Sequence, residues 1–192
     1  MQIKRRVLVG AWRTHQKGMT LLEIVVSMLI VALGLAMSVS MIQSANRFGD
    51  TAEYTAFALQ KSQLIIDTMR ANALAKETYV VNGINANPNN GDYKSVYDSL
   101  SSIYDAANKD AALSRLVDNL RCKNSACTLA EENAKADVYA WADEIMSTLP
   151  GGRALLRKNN DNYEVIIMWK HVSATDNGSD APVQGTQVWF AL

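Results

Sequence analysis

Between Ile24 and Ile42 the chain carries no charged side chain, and a single carboxylate, Glu23, stands at the head of this run. An uncharged apolar stretch of that length comes close to the ~20 residues a helix needs to cross a hydrocarbon core. No proline occurs between Met19 and Pro88, so no residue in that interval removes a helical donor. The fold is thereby restricted: the rest of the chain is carried on a long apolar rod. The acid at the mouth of that rod needs a partner, because an ionised group alone in lipid costs about 3 kcal/mol and such groups are as a rule paired.

The eighteen residues before Met19 hold Lys4, Arg5, Arg6, Arg13 and Lys17 and no acid. Without them the chain has fourteen basic residues against nineteen acidic ones, a formal charge of −5. The neutrality of the whole sequence therefore hides an acidic body, which argues against a nonspecific nucleic-acid surface. Basic residues ahead of an apolar span stay cytoplasmic, so the C-terminal part is expected on the far side of the membrane. A secretory signal peptide would have a shorter apolar region followed by small residues, whereas here Gly18 precedes a longer one. A plain single-pass anchor accounts for length and orientation but not for Glu23. Cleavage between Gly18 and Met19 does account for it. The new α-amine at Met19, cationic at neutral pH, would lie one helical turn from the carboxylate. Its pairing within one chain, or between neighbouring copies, would fix the register of stacked helices.

The basic leader, the Lys17-Gly18 junction, Met19-Thr20-Leu21-Leu22-Glu23 and the apolar run resemble the N-terminal signal of type IV pilins and pseudopilins. The resemblance covers about the first quarter of the chain. It implies a prepilin peptidase that cuts after Gly18 and methylates Met19, and an assembly role for Glu23. It divides the chain into a leader (1–18), a transmembrane and filament-core helix (19–42) and a periplasmic globular domain (43–192) that includes the amphipathic half of the helix. Met19 stands where major pilins mostly carry phenylalanine, and no proline interrupts the apolar helix; both suit a minor pilin.

Past Ile42 the pattern becomes striped. Ala45, Phe48, Ala52, Thr55, Leu59, Ser62, Ile66, Met69 and Ala73 recur at spacings of three and four, with Asp50, Glu53, Lys61, Asp67 and Arg70 off the seam. One helix from about Thr20 to about Lys76 is expected, on the order of 80 Å long. Gly34 and Gly49 are its weak points. Asn82 to Asp92 is rich in turn formers and reads as a surface loop. Short helices are expected within 95–108 and over 109–120. Thr128-Leu129-Ala130-Glu131 is a capping box opening a further helix, which Pro150-Gly151-Gly152 ends. Strands are expected at 153–158, 163–171 and 186–191, joined as an antiparallel meander that needs a cover. The class is α+β: a long N-terminal helix packed on a C-terminal antiparallel sheet, with an inserted helical αβ region, as the resemblance to type IV pilins also implies.

Cys122 and Cys127 lie in Cys-Lys-Asn-Ser-Ala-Cys. Outside the inner membrane an oxidising compartment favours a disulfide, worth about 2 kcal/mol at most for so small a ring. A metal reading needs two more ligands, and His171 is the only histidine after the leader. Catalytic residues, metal ligands and cofactors are accordingly expected to be none. Asp137, Asp143 and Glu144 read as the solvated face of one helix, and Tyr93, Tyr97 and Tyr104 as packing residues. The resemblance implies a non-catalytic minor pilin of a Gram-negative inner membrane and surface pilus. Its implied partners are other minor pilins, the major pilin, a large tip adhesin, prepilin peptidase, the inner-membrane assembly platform and membrane lipid, with no nucleic acid. The alternatives are a type II secretion minor pseudopilin and a membrane-tethered periplasmic enzyme or binding module.

Overall fold

The computed structural model describes residues 20–84, 88, 91–123, 126–171 and 181–192. Contacts divide the chain at Arg47, and the part from Phe48 to Leu192 forms a compact unit of its own. Helix α1 runs from Leu21 to Ala71 and is followed by a 3-10 segment, Ala73–Tyr79. Helices α2 (Lys94–Ser99), α3 (Ser101–Tyr104), α4 (Lys109–Asp118) and α5 (Leu129–Thr148) come next. Strands β1 (Arg153–Asn159), β2 (Asn162–Lys170) and β3 (Val183–Phe190) complete the order. The layout is α+β and pilin-like: a long N-terminal helix, a helical middle and a three-stranded antiparallel sheet in the order β1-β2-β3.

Helix α1 ends earlier than its periodicity predicts. Asn72 leaves the helical region at φ −113° and ψ 49°. Its side-chain amide donates to the Ala130 carbonyl at 2.8 Å and to the Tyr79 hydroxyl at 3.4 Å. Tyr79 in turn donates to Asp137 Oδ2 at 2.6 Å. Burial, with the Asp137 hydrogen bond next, pushes the Tyr79 phenol well above its ordinary range. A tertiary hydrogen-bond set thus replaces the last turn of a helix that local propensity would have continued.

The expected seam of α1 holds only in part: Ser62, Ile66 and Met69 are buried and Thr55 is half-buried. Phe48 and Leu59 are exposed, and so are Ala45, Ala52 and Ala73. The buried side chains are Ala58, Lys61, Ser62, Ile65, Ile66 and Met69. Lys61, expected off the seam, is buried because α5 supplies both of its needs. Its ammonium pairs with Glu144 at 2.5 Å, and its carbonyl accepts from Trp141 Nε1 at 2.9 Å. The acids of α5 are correspondingly not a merely solvated face. Asp137 holds Tyr79, Asp143 pairs with Lys109 at 2.5 Å, and Glu144 pairs with Lys61.

Strand β2 is buried from Tyr163 to Trp169, with no exposed face. A run of that kind signals a strand covered on both sides. Lys158 and Tyr163 are cross-strand partners, and both bond Glu77 of the 3-10 segment at 2.8 Å. Arg153, on the opposite face by the two-residue alternation, reaches α2 and α3. Its guanidinium lies 3.8 Å from the Tyr97 ring, donates to the Tyr97 carbonyl at 2.6 Å, and pairs with Asp105. The sheet therefore has two covers where the sequence announces one, and Tyr97 and Tyr104 are core residues of the second.

Two stop and start signals work as written. Gly151 adopts φ 59°, and a Cβ on Gly152 would meet the Ile145 carbonyl at 2.5 Å, so α5 ends where only glycine fits. At its other end Glu131 accepts from the Thr128 backbone at 2.7 Å while its own amide donates to Thr128 Oγ1. It also accepts from the Lys123 amide at 2.8 Å, and these backbone donors hold its carboxyl below the ordinary value of 4.5. A depressed acid contributes stability that is present above 4.5 and fades as the pH falls through its folded value. Glu131→Ala should accordingly melt below wild type at neutral pH, and the gap should close progressively under acid. A gap of constant size throughout an acid titration of the melting temperature would contradict this account of the cap.

Candidate functional site

At the start of α1 the Glu23 amide donates to Thr20 Oγ1 at 3.3 Å and to the Thr20 carbonyl at 3.0 Å. Thr20 therefore caps the helix, and Thr20-Leu21-Leu22-Glu23 has the same spacing as the box at Thr128-Leu129-Ala130-Glu131. That second box was legible in the sequence by the same signal, yet its carboxylate has a different fate. Glu131 is buried and engaged by backbone donors. The Glu23 carboxylate, among the described residues, makes no hydrogen bond and no ion pair, and lies exposed in the first turn. An acid in that position is favoured by the positive end of the helix dipole and remains available to a cation.

Behind it, every described residue from Thr20 to Asp50 is exposed. Leu21, Leu29, Leu35 and Met41 are more than half exposed, a continuous apolar surface that needs lipid or protein around it. The helix is long and apolar enough to cross a membrane. Three of its hydroxyls are turned inward. Ser27 donates to the Glu23 carbonyl at 2.7 Å, Ser38 to Gly34 at 2.9 Å and Ser44 to Ser40 at 3.1 Å. Each donor is thereby satisfied inside the helix, as a hydrocarbon environment requires. Gly34 and Gly49 are both helical.

The expected cleavage and methylation positions, Gly18 and Met19, lie outside the described residues. Cys122 and Cys127 are joined in a disulfide with Cα atoms 5.2 Å apart, closing the chain between α4 and the Thr128 cap. His171 follows β2, half-buried, with its amide donating to the Pro182 carbonyl at 2.9 Å. Among the described residues no three histidine, cysteine or acidic side chains converge as metal ligands would.

Sequence reasoning did not single out a groove of about 650 Å³ between the 3-10 segment, the residues that follow it and the disulfide turn. Lys76, Arg121, Lys123, Arg157 and Lys158 line it, with Glu77 and Glu131. Its signal in the sequence is weak, because these cations are scattered over more than eighty positions.

No curated protein and no solved structure matches the chain. Residues 13–39 match the prokaryotic N-terminal methylation motif, a span that includes the Gly18-Met19 junction, Glu23 and most of the apolar run. That motif implies processing by prepilin peptidase and assembly with other pilins, and the helix behind it suggests anchoring in the inner membrane. By this motif and by its layout, the chain carries the prepilin-type N-terminus of the type IV pilin-like proteins.

Proposed function

We propose that the protein is a minor pilin of a type IV pilus, a non-catalytic assembly and priming component. The apolar half of α1 holds the subunit in the inner membrane with the globular unit in the periplasm, then becomes filament core. Glu23 pairs with the methylated Met19 amine of its own or an adjacent subunit and sets the register. The observation that carries this reading is the contrast between two like-spaced acids. Glu131 is consumed by its cap, while Glu23 is held at the head of an exposed apolar helix with its carboxylate uncommitted. Ala140-Trp141-Ala142, Leu149-Pro150-Gly151-Gly152 and Val165-Ile166-Ile167-Met168-Trp169 resemble the minor pilin PilV. On that resemblance its partners are other minor pilins in a tip complex, the major pilin, a large adhesin and the inner-membrane platform, and its tasks are twitching motility and adhesion.

Mass spectrometry of the ripened protein is the test. The expected N-terminus is a methylated Met19, and recovery of a chain that still bears residues 1–18 would refute the assembly reading in favour of a tethered periplasmic module. Pseudopilins of type II secretion share the motif, so a deletion separates the two filaments. Loss of twitching with secretion intact is the expected outcome; the reverse would assign the protein to secretion.

A further inference from the structure

The groove beside the disulfide concentrates positive charge on an acidic body. Five of the fourteen basic residues after the leader line it, against two of the nineteen acids. Both of those acids are engaged. Glu77 accepts from Lys158 and Tyr163, each at 2.8 Å, and Glu131 is held by the Thr128 and Lys123 amides. The side chains of Lys76, Arg121 and Lys123, in contrast, form no ion pair among the described residues, although at least half of the described lysines and arginines do. Arg121 and Lys123 are exposed and flank Cys122, so the disulfide fixes their backbone at one rim.

The same groove is not merely cationic. Leu74 is 96% exposed at its edge, and Ala75, Val80, Val81 and Ile84 contribute apolar lining. A bare inorganic anion uses the charges but leaves that apolar surface wet. A nucleic-acid backbone would meet the net negative charge of the rest of the domain. A peptide with an apolar side chain set among carboxylates satisfies both features at once.

We propose that this groove is a docking site for an acidic segment of a partner protein, in which carboxylates meet Lys76, Arg121 and Lys123 and an apolar side chain covers Leu74 and Val80. The site stands independently of prepilin processing; identifying the partner as a fellow filament subunit rests on the function proposed above.

The test is a fluorescence anisotropy titration of the full chain in detergent with a labelled glutamate-rich peptide carrying a central leucine. Arg121→Glu and Lys123→Glu should each weaken binding several-fold, and together by about tenfold at low salt, with the effect shrinking as salt rises. Lys135→Glu makes the same change of charge outside the groove and should bind as wild type does. Both groove positions are exposed, and matching circular dichroism melts verify that the variants remain folded. Replacing the peptide's leucine with serine should also weaken binding.

Equal affinity for all variants would overturn the proposal, as would no binding by wild type. So would displacement of the peptide by equimolar inorganic phosphate, or tighter binding of a single-stranded oligonucleotide. Failure of leader removal would sink the assembly reading yet leave this titration unaltered, so the two can be told apart.

Discussion

Glu23→Ala is expected to remain inserted in the membrane while its recovery in sheared filaments falls by on the order of a hundredfold. The loss follows from pairing in a low-dielectric core. Removing one member of a buried ion pair strands the other, at about 3 kcal/mol, and each 1.4 kcal/mol is about a factor of ten in a binding equilibrium. Insertion itself should not suffer, because the variant helix is more apolar and the exposed run from Ile24 to Ile42 is untouched. Nor should the helix unwind, since the cap is made by the Thr20 hydroxyl and the Glu23 backbone amide, which alanine retains. Glu23→Gln separates charge from shape: it keeps the side-chain length and should be almost as defective. Glu132→Ala, an exposed acid in the first turn of α5, is the control and should assemble normally. The readout is the ratio of filament to membrane protein in immunoblots. Normal incorporation of Glu23→Ala would show that the acid has no part in register.

What could be read from the sequence, and what could not, follows the range of the interactions involved. Local signals were legible: the box at Thr128 and Glu131, the stop at Gly151-Gly152, and the antiparallel meander of β1, β2 and β3. The end of α1 was not. It depends on Asn72 reaching Ala130, fifty-eight residues away, where neither propensity nor periodicity extends. The seam of α1 was legible only at Ser62, Ile66 and Met69, for a related reason. Lys61 reads as a surface residue until Glu144 and Trp141 are placed beside it. Sequence periodicity counts apolar side chains and misses a cation buried by a partner. The second cover of the sheet escaped for the same cause, because Arg153 at the start of β1 looks like a strand-end charge. It becomes a core residue only when Tyr97, Ser101 and Asp105 surround it. Of the candidate site, Glu23 and its apolar helix were legible because their chemistry is contiguous. The basic groove was not, since its cations come from three separated segments.

The other large effect should come from the C-terminal sheet. Arg157 of β1 and Glu164 of β2 face each other across the ladder and form an ion pair, with Glu164 fully buried and Arg157 nearly so. The Gln187 amide of β3 donates to the second carboxylate oxygen, so one acid ties all three strands together. In Arg157→Met the carboxylate keeps Gln187 but loses its cation in a site water does not reach. The expected destabilisation is about 3–5 kcal/mol, a large share of the ~5–15 kcal/mol that holds a domain folded. For a chain of this size that corresponds to a drop of roughly 10 °C in melting temperature. The pair itself contributes far less than its rupture removes, because both ions had to be desolvated to form it. Arg157→Met combined with Glu164→Leu should therefore recover most of the loss, despite containing one more substitution. Lys94→Ala, which breaks an exposed pair with Asp98, sets the baseline and should shift stability by about 0.5 kcal/mol or less. Near-ultraviolet circular dichroism is a suitable probe, because buried Trp169 and Tyr163 lie on the same central strand. A single variant that melts within about 2 °C of wild type would mean that Glu164 finds its neutralisation elsewhere; a double variant no better than the single would mean that packing around Leu155 and Ile166 holds the sheet.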